Sequence, residues 1–350
     1  SPLANQDTPA TLSSGGQIFR LRLLLHISVN NLPSAQDSIA TKTATLPSAR
    51  RALSCAEDSS THKIYCFGGV SGSTFFSSIL EYNPSSDTLT TKTATLPSGR
   101  AYFSCVENSL THKIYCFGGY TGVTYLNQIV EYTPSTDTLT TKFATLPTGR
   151  SGLSCAENPN THKIYCFGGR DGSNFYNQVL EYDPSSDTLT TKTATLPFGR
   201  NDLSCAWDSD SGRIYCFGGY NGTSTTNQIF YYNPASDTIS VASATLPSNR
   251  NALSCVLHPF NLKIYCFGGS SGAFTVTNQI VEYTSATDIL LVKSATLPTA
   301  RRYLSCAINS ATYKIYCFGG YDTADLSQIV EYSGTSIFFR LQFAQRGTDN

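Results

Sequence analysis

The chain has 350 residues, with 24 Lys+Arg against 24 Asp+Glu and 40% hydrophobic residues, a length that suits two or three ordinary domains or one large repetitive one. A net charge of zero leaves no basic footprint for a nucleic-acid backbone or an anionic membrane surface, and no apolar run approaches the roughly 20 residues of a spanning helix. The 26 Gly, 15 Pro, 21 Tyr and 19 Phe are the vocabulary of strands and turns, not of helices.

Methionine is absent and the chain begins at Ser1, which fits removal of an export signal and equally a trimmed N-terminus. Residues 1–16 are polar and read as a linker. The sequence then alternates, with Phe19, Leu21, Leu23, Leu25, Ile27 and Val29 on one face and Arg20, Arg22, His26, Ser28 and Asn30 mostly on the other, the pattern of a long amphipathic strand. Residues 37–47, ending in Leu46-Pro47, copy the later segment 87–97.

From there the chain repeats itself. A Tyr-Cys-Phe-Gly-Gly block places Gly pairs at Gly68-Gly69, Gly118-Gly119, Gly168-Gly169, Gly218-Gly219, Gly268-Gly269 and Gly319-Gly320, and such a period marks a repeat architecture. The third unit shows the pattern. A Leu-Pro-Thr-Gly-Arg turn precedes a first strand at residues 153–156, and a polar turn at 158–162 leads to a second strand at 163–167. A variable loop, a third strand at 178–182, a turn at 183–187 and a Thr-rich fourth strand at 188–195 complete the unit. Four short strands with turns between them predict one antiparallel sheet per unit.

The last unit stops after its third strand, at Tyr332, so segment 37–48 is expected to supply its fourth strand beside 327–332 and close the ring. The remaining tail alternates again through Ile337, Phe339, Leu341 and Phe343. The division expected is therefore an N-terminal tail with a strand (1–36), a six-unit array (37–332) and a C-terminal strand tail (333–350). Two greasy strands are not stable alone, so they either fold against the array or add to a sheet in a neighbouring subunit or in a domain outside this chain. Phe19, Leu21, Leu23, Leu25, Ile27, Phe339, Leu341 and Phe343 are the candidate assembly residues.

The Gly pair after an apolar strand, the later Tyr and the Arg following a Pro at each unit's start resemble the kelch repeat over residues 37–332. The resemblance implies an all-β fold, a six-bladed kelch-type β-propeller of four-stranded antiparallel blades around a central channel. The Trp usual in the fourth strand of such repeats is replaced by Leu89, Leu139, Leu189, Ile239 and Leu290, which is expected to thin the contact between blades.

All twelve Cys fall in the repeat, two per unit: Cys55 and Cys66, Cys105 and Cys116, Cys155 and Cys166, Cys205 and Cys216, Cys255 and Cys266, Cys306 and Cys317. One lies on the first strand and one on the second. In simple register they face each other, as a disulfide requires, and an even count with no orphan fits an oxidising compartment. The alternative is a ring of small buried thiols. Zinc is disfavoured, because His62, His112 and His162 are copies of one turn in successive units, and a copper site of the galactose-oxidase type lacks its paired ligands. No metal, cofactor or catalytic constellation is expected, and near-identical units favour a scaffold over an enzyme.

In kelch propellers, the loops after the Gly pair and before the first strand gather at one mouth. The variable residues there include Tyr102, Tyr120, Arg170, Asn201, Asp202, Tyr220, Arg302, Tyr303 and Tyr321, whose rings and polar groups suit a sugar or a peptide. The repeated Arg50, Arg100, Arg150, Arg200, Arg250 and Arg301 are expected to bond backbone carbonyls. Asn221-Gly222-Thr223 is the one N-glycosylation sequence, and the Thr-rich outer strands offer O-linked sites. Together these features predict an extracellular or cell-surface, non-enzymatic structural or adhesion protein, self-associating or binding protein, built into a filament through its terminal strands. The alternatives are glycan binding or processing at the mouth, as in propellers that handle sialic acid, and an intracellular adaptor.

Overall fold

The computed structural model of the chain describes residues 13–14, 17–18, 37–272 and 275–334, and it divides into two compact units, Ser1–Gln36 with Ile337–Asn350, and Asp37–Ser336. In the first unit the described residues form a short hairpin, Ser13–Ser14 against Gln17–Ile18, which begins inside the stretch read as a linker and ends just beyond it. The candidate assembly residues of both tails lie outside the described residues.

The second unit is a ring of six four-stranded antiparallel sheets. The third blade consists of Ser151–Asn158, Lys163–Arg170, Gln178–Asp183 and Thr188–Thr195, from the channel outwards. The strands expected from sequence are all there, the first two longer by two or three residues at their ends. Each second strand is flanked by sheet on both sides and by neighbouring blades on both faces. Its Ile-Tyr-Cys-Phe run is therefore buried without alternation, whereas the fourth strand is exposed or half-buried throughout.

The core lies between blades. In one such wedge, Tyr82 of blade one meets the rings of Tyr316 and Phe318 of blade six at 5.4 and 5.5 Å, and Leu89 packs half-buried behind them. Leu139, Leu189, Ile239 and Leu290 take the same place in the later wedges, so the position usually filled by Trp still seals the blade contact. Across the strands of five blades a glutamate binds two lysines. Glu181, for instance, takes Lys163 at 2.7 Å and Lys192 at 3.1 Å. Blade four replaces that glutamate with Tyr231, and Arg213 covers the ring at 4.8 Å.

Ring closure follows the expected plan, with Ser38–Thr45 pairing antiparallel to Gln328–Ser333. The closing strand is also fixed on both flanks. Thr43 donates its N–H and hydroxyl to Asp87 of blade one at 2.9 and 2.6 Å, and Lys293 of blade five reaches Asp37 at 3.0 Å.

The innermost strands have an unpaired edge facing the channel, where alternate N–H groups would go unsatisfied. A serine solves this in every blade. Ser54, Ser104, Ser154, Ser204, Ser254 and Ser305 accept the N–H of Cys105, Cys155, Cys205, Cys255, Cys306 and Cys55 at 2.8 to 3.0 Å, closing a girdle across all six junctions.

The cysteines are opposed in register in every hairpin and bonded in six disulfides, with S–S distances of 2.04 to 2.12 Å and no free cysteine. No helix is long and apolar enough to cross a membrane among the described residues.

Candidate functional site

The mouth is built on the six arginines that end each Leu-Pro turn. Arg150 is fully buried; its Nη1 donates to the carbonyl of Gly168 at 3.1 Å, its Nη2 to Gln178 Oε1 at 2.7 Å, and its guanidinium lies 4.0 Å over the Tyr176 ring. The other five make the equivalent bond to their own Gly carbonyl. The carbonyl bond matches the sequence expectation. The glutamine partner is an addition that the sequence pattern does not announce. Burial lowers these guanidiniums to about 10, so they stay charged at neutral pH. The Gly pair has a steric reason as well: at Gly218, with φ +64°, an added Cβ would stand 2.1 Å from the Arg250 carbonyl oxygen.

With that frame set, the two variable positions meet one to one. The residue after each arginine bridges to the residue after each Gly pair: Arg51 to Val70, Ala101 to Tyr120, Ser151 to Arg170, Asn201 to Tyr220, Asn251 to Ser270 and Arg302 to Tyr321. The next residues, Ala52, Tyr102, Gly152, Asp202, Ala252 and Tyr303, all adopt left-handed φ between 52° and 66°. Each donates its N–H to the carbonyl of its counterpart in the preceding blade, at 2.7 to 2.9 Å, and the bond from Ala52 to Tyr303 closes the circle.

Small and large side chains alternate around this collar, and the alternation makes the large ones fit. At Gly152 an added Cβ would lie 2.7 Å from Asp202 Oδ1. Tyr303 crosses over Ala252 to donate its hydroxyl to Asp202 Oδ2 at 3.1 Å, and packs edge-on against Tyr102 at 5.2 Å. Below the collar, Leu53, Phe103, Leu153, Leu203, Leu253 and Leu304 line a channel neck of about 90 Å³.

Above the collar, a cavity of about 240 Å³ opens off-axis toward blades one to four, lined by Arg51, Val70, Gly72, Phe75, Tyr102, Tyr120, Tyr125, Ser151, Arg170, Asn201, Asp202 and Tyr303. Of the residues singled out from sequence, Tyr102, Tyr120, Arg170, Asn201, Asp202 and Tyr303 converge here. Tyr220, Arg302 and Tyr321 do not line it. The Tyr220 hydroxyl turns back to the carbonyl of Gly222 at 2.7 Å, and Tyr321 lies beneath the guanidiniums of Arg51 and Arg302 at 4.9 and 5.5 Å. Sequence reasoning passed over Phe75 and Tyr125, although Phe75, Tyr125 and Phe175 hold one repeat position in the first three units. Phe75 stands edge-on to Tyr120 at 5.9 Å, and Tyr120 packs at a tilt against Tyr125 at 4.6 Å, giving one aromatic wall.

The polar side of the cavity is asymmetric. Arg51 is committed to Asp325 at 2.6 Å. Burial pushes the Asp202 carboxyl up to about 6, against the opposing pull of the Tyr303 hydroxyl, Arg170 and Arg302. The buried Oδ1 of Asn201 has no hydrogen-bond donor among the described residues. A pH dependence follows. Between roughly pH 4 and 6, native Asp202 keeps a proton that an unfolded aspartate has released, so its contribution to stability falls as pH rises through that window. Asp202→Asn is therefore expected to gain stability relative to the parent as pH climbs from 4 to 6 and to hold that difference above it, read as the pH dependence of the difference in Tm. A constant difference across the range would contradict the assignment.

On the opposite face, the hairpin turns carry His62, His112 and His162, each with Nδ1 within 3.3 Å of its own blade's Glu57, Glu107 or Glu157. Ligand atoms of Asp58, Glu107 and His112 fall within 4.8 Å of one another. These groups are already used: Asp58 caps Ser60 and Thr61, and Glu107 takes the N–H and hydroxyl of Ser59. The same network recurs with Glu157, His162 and Ser109, where Asn108 stands in place of the second carboxylate, so it is an inter-blade clasp that needs no cation. His258 is buried and stacks on Tyr313 at 5.8 Å.

A family model described as the KLHDC2/KLHL20/DRC7 Kelch-repeats domain matches residues 14–188, and a Kelch motif model matches residues 209–238. No curated protein matches the chain.

Proposed function

Because the chain belongs to the kelch-repeat β-propeller family, whose propellers generally bind proteins, we propose that it is an extracellular, non-enzymatic adhesion or assembly module that grips a protein partner at its mouth. The observation that carries this reading is the off-axis cavity, where an aromatic wall of Phe75, Tyr120 and Tyr125 faces Arg170 and the donor-less Oδ1 of Asn201. A buried acceptor left unpaired costs roughly 1–3 kcal/mol. A peptide segment entering the cavity would offer an apolar or aromatic side chain to the wall, a carbonyl or carboxylate to Arg170, and a main-chain N–H to Asn201 once that side chain turns its buried Oδ1 outward.

The extracellular placement is supported by twelve cysteines all paired within blades, a pattern that cytosolic thiol buffers oppose. The non-enzymatic reading is supported by a cavity in which Asp202, the one carboxylate among its described lining residues, is tied to Tyr303, while Asp325 beside it is tied to Arg51. Self-association through the terminal strands rests on sequence alternation alone. A glycan is the second reading, favoured by the same aromatic wall, on which a sugar ring could stack.

Panning a random peptide library on the oxidised protein tests the proposal. Peptides are expected to enrich, and Asn201→Ala or Arg170→Ala is expected to weaken them about tenfold or more. Substitution at Phe260, on the opposite face, is expected to change nothing. Binding on a glycan array that fails with the same two variants, without peptide enrichment, would replace the protein partner by a sugar.

A further inference from the structure

The loop between the second and third strands of blade four holds Asn221-Gly222-Thr223, the one Asn-X-Ser/Thr sequence in the chain without Pro at its centre. The corresponding loops show what the fold itself asks of that position. In blade two, Thr121 Oγ1 accepts the N–H groups of Val123 and Thr124 at 3.4 and 3.0 Å. In blade three, Asp171 Oδ1 accepts those of Ser173 and Asn174 at 2.8 and 2.7 Å. Asn221 Oδ1 does the same for Thr223 and Ser224 at 2.9 and 2.8 Å. A single acceptor oxygen is enough to build the turn, and a hydroxyl or a carboxylate serves as well as an amide.

The amide nitrogen of Asn221 is thus surplus to the fold. Neither Asn221 Nδ2 nor the Thr223 hydroxyl makes a hydrogen bond among the described residues, and Gly222, Thr223 and Ser224 are exposed. The chain supplies its own contrast in the turn after the third strand of blade one. There Asn83 Oδ1 takes both the N–H and the hydroxyl of Ser85, at 3.0 and 2.7 Å, and Pro84 occupies the middle position, which excludes N-glycosylation.

We propose that Asn221 carries an N-linked oligosaccharide, an inference that rests on the extracellular reading above. The donor class is an oligosaccharide on a lipid diphosphate. Asn221 Nδ2 forms the new bond to the anomeric carbon, the bond from that carbon to the diphosphate oxygen breaks, the lipid diphosphate leaves with the bonding pair, and the amide proton passes to a base of the transferase. The exposed Thr223 hydroxyl is the group by which the acceptor sequence is recognised. The oligosaccharide stands on the rim over blade four, where the Tyr220 hydroxyl holds the carbonyl of Gly222 at 2.7 Å. It flanks the cavity without filling it.

Peptide mapping of protein secreted from cells competent for N-glycosylation tests this, before and after an amidase that releases the glycan and leaves Asp at that position. The expected result is sugar mass on the peptide containing Asn221, lost in Asn221→Asp and Thr223→Ala and kept in Thr223→Ser. Asn221→Asp retains the acceptor that Asp171 provides in blade three, so its Tm reports that the turn survives. An unmodified Asn221 overturns the proposal, and the free-thiol count of the same sample tells how. No free thiols would leave the extracellular reading standing with this site unused, whereas free thiols would remove both.

Discussion

Complete reduction of the six disulfides is expected to unfold the propeller under conditions in which the oxidised protein is fully folded. Each bond closes a loop with a sequence separation of 11, for which loop-closure entropy gives roughly 2–3 kcal/mol. Six such terms, roughly 12–18 kcal/mol together, match or exceed the whole stability of an ordinary domain, about 5–15 kcal/mol. Among the described residues no other covalent cross-link compensates, and the wedges between blades bury the cysteines themselves as part of the core. The sole tryptophan, Trp207, is half-buried between blades three and four, so its fluorescence reports the transition directly. Urea curves with and without reductant make the comparison, and equal midpoints would contradict it. The paired variant Cys155→Ala with Cys166→Ala is expected to lose only one such term and to remain a closed ring.

Arg150→Ala is expected to cost about 4 kcal/mol or more, a larger loss than removal of any one disulfide. Truncation removes the donors to Gly168 and Gln178, bonds of 3.1 and 2.7 Å; the buried Gly168 carbonyl left bare costs roughly 1–3 kcal/mol, and the half-buried Gln178 loses a charge-assisted bond of roughly 1.5–3 kcal/mol. It also opens a void beneath the Tyr176 ring, adding a packing loss. Arg150→Lys restores a charge but not the fork that spans two acceptors, so it is expected to recover less than half of the loss. Denaturant midpoints measure both. A cost below about 1 kcal/mol would mean that water replaces the guanidinium without penalty.

The repeat made the frame legible in advance: Gly pairs at constant spacing gave the blades, and the copied segment at residues 37–47 gave the closure that Ser38–Thr45 makes. Facing cysteines followed from hairpin register alone. Contacts between blades were harder to read, because they join residues some fifty positions apart with no local signature. Ser54 and its counterparts sit before a cysteine in every unit, yet their role depends on the next blade's N–H lying within reach. The left-handed collar was hidden for a different reason. Its positions hold Ala, Tyr, Gly and Asp alike, and only the hydrogen bond from the neighbouring blade selects their backbone conformation. The mouth residues were legible as two runs of loop positions gathering at one mouth, but not their one-to-one pairing, nor which of them enter the cavity and which, like Tyr220, turn away.

The closing pair also sets how the ring yields to tension. Ser38 begins the outermost strand of the last blade and Ser333 ends its partner, and the two residues face each other directly. Force applied at positions 37 and 334 therefore peels these strands apart rung by rung from one end, rather than sliding them past each other. None of the six sulfur bridges crosses that seam, since each lies within a hairpin beside the channel. A molecule tethered by both ends would open as a zipper at modest load while every blade stayed stapled, and would re-form once the strand swung back.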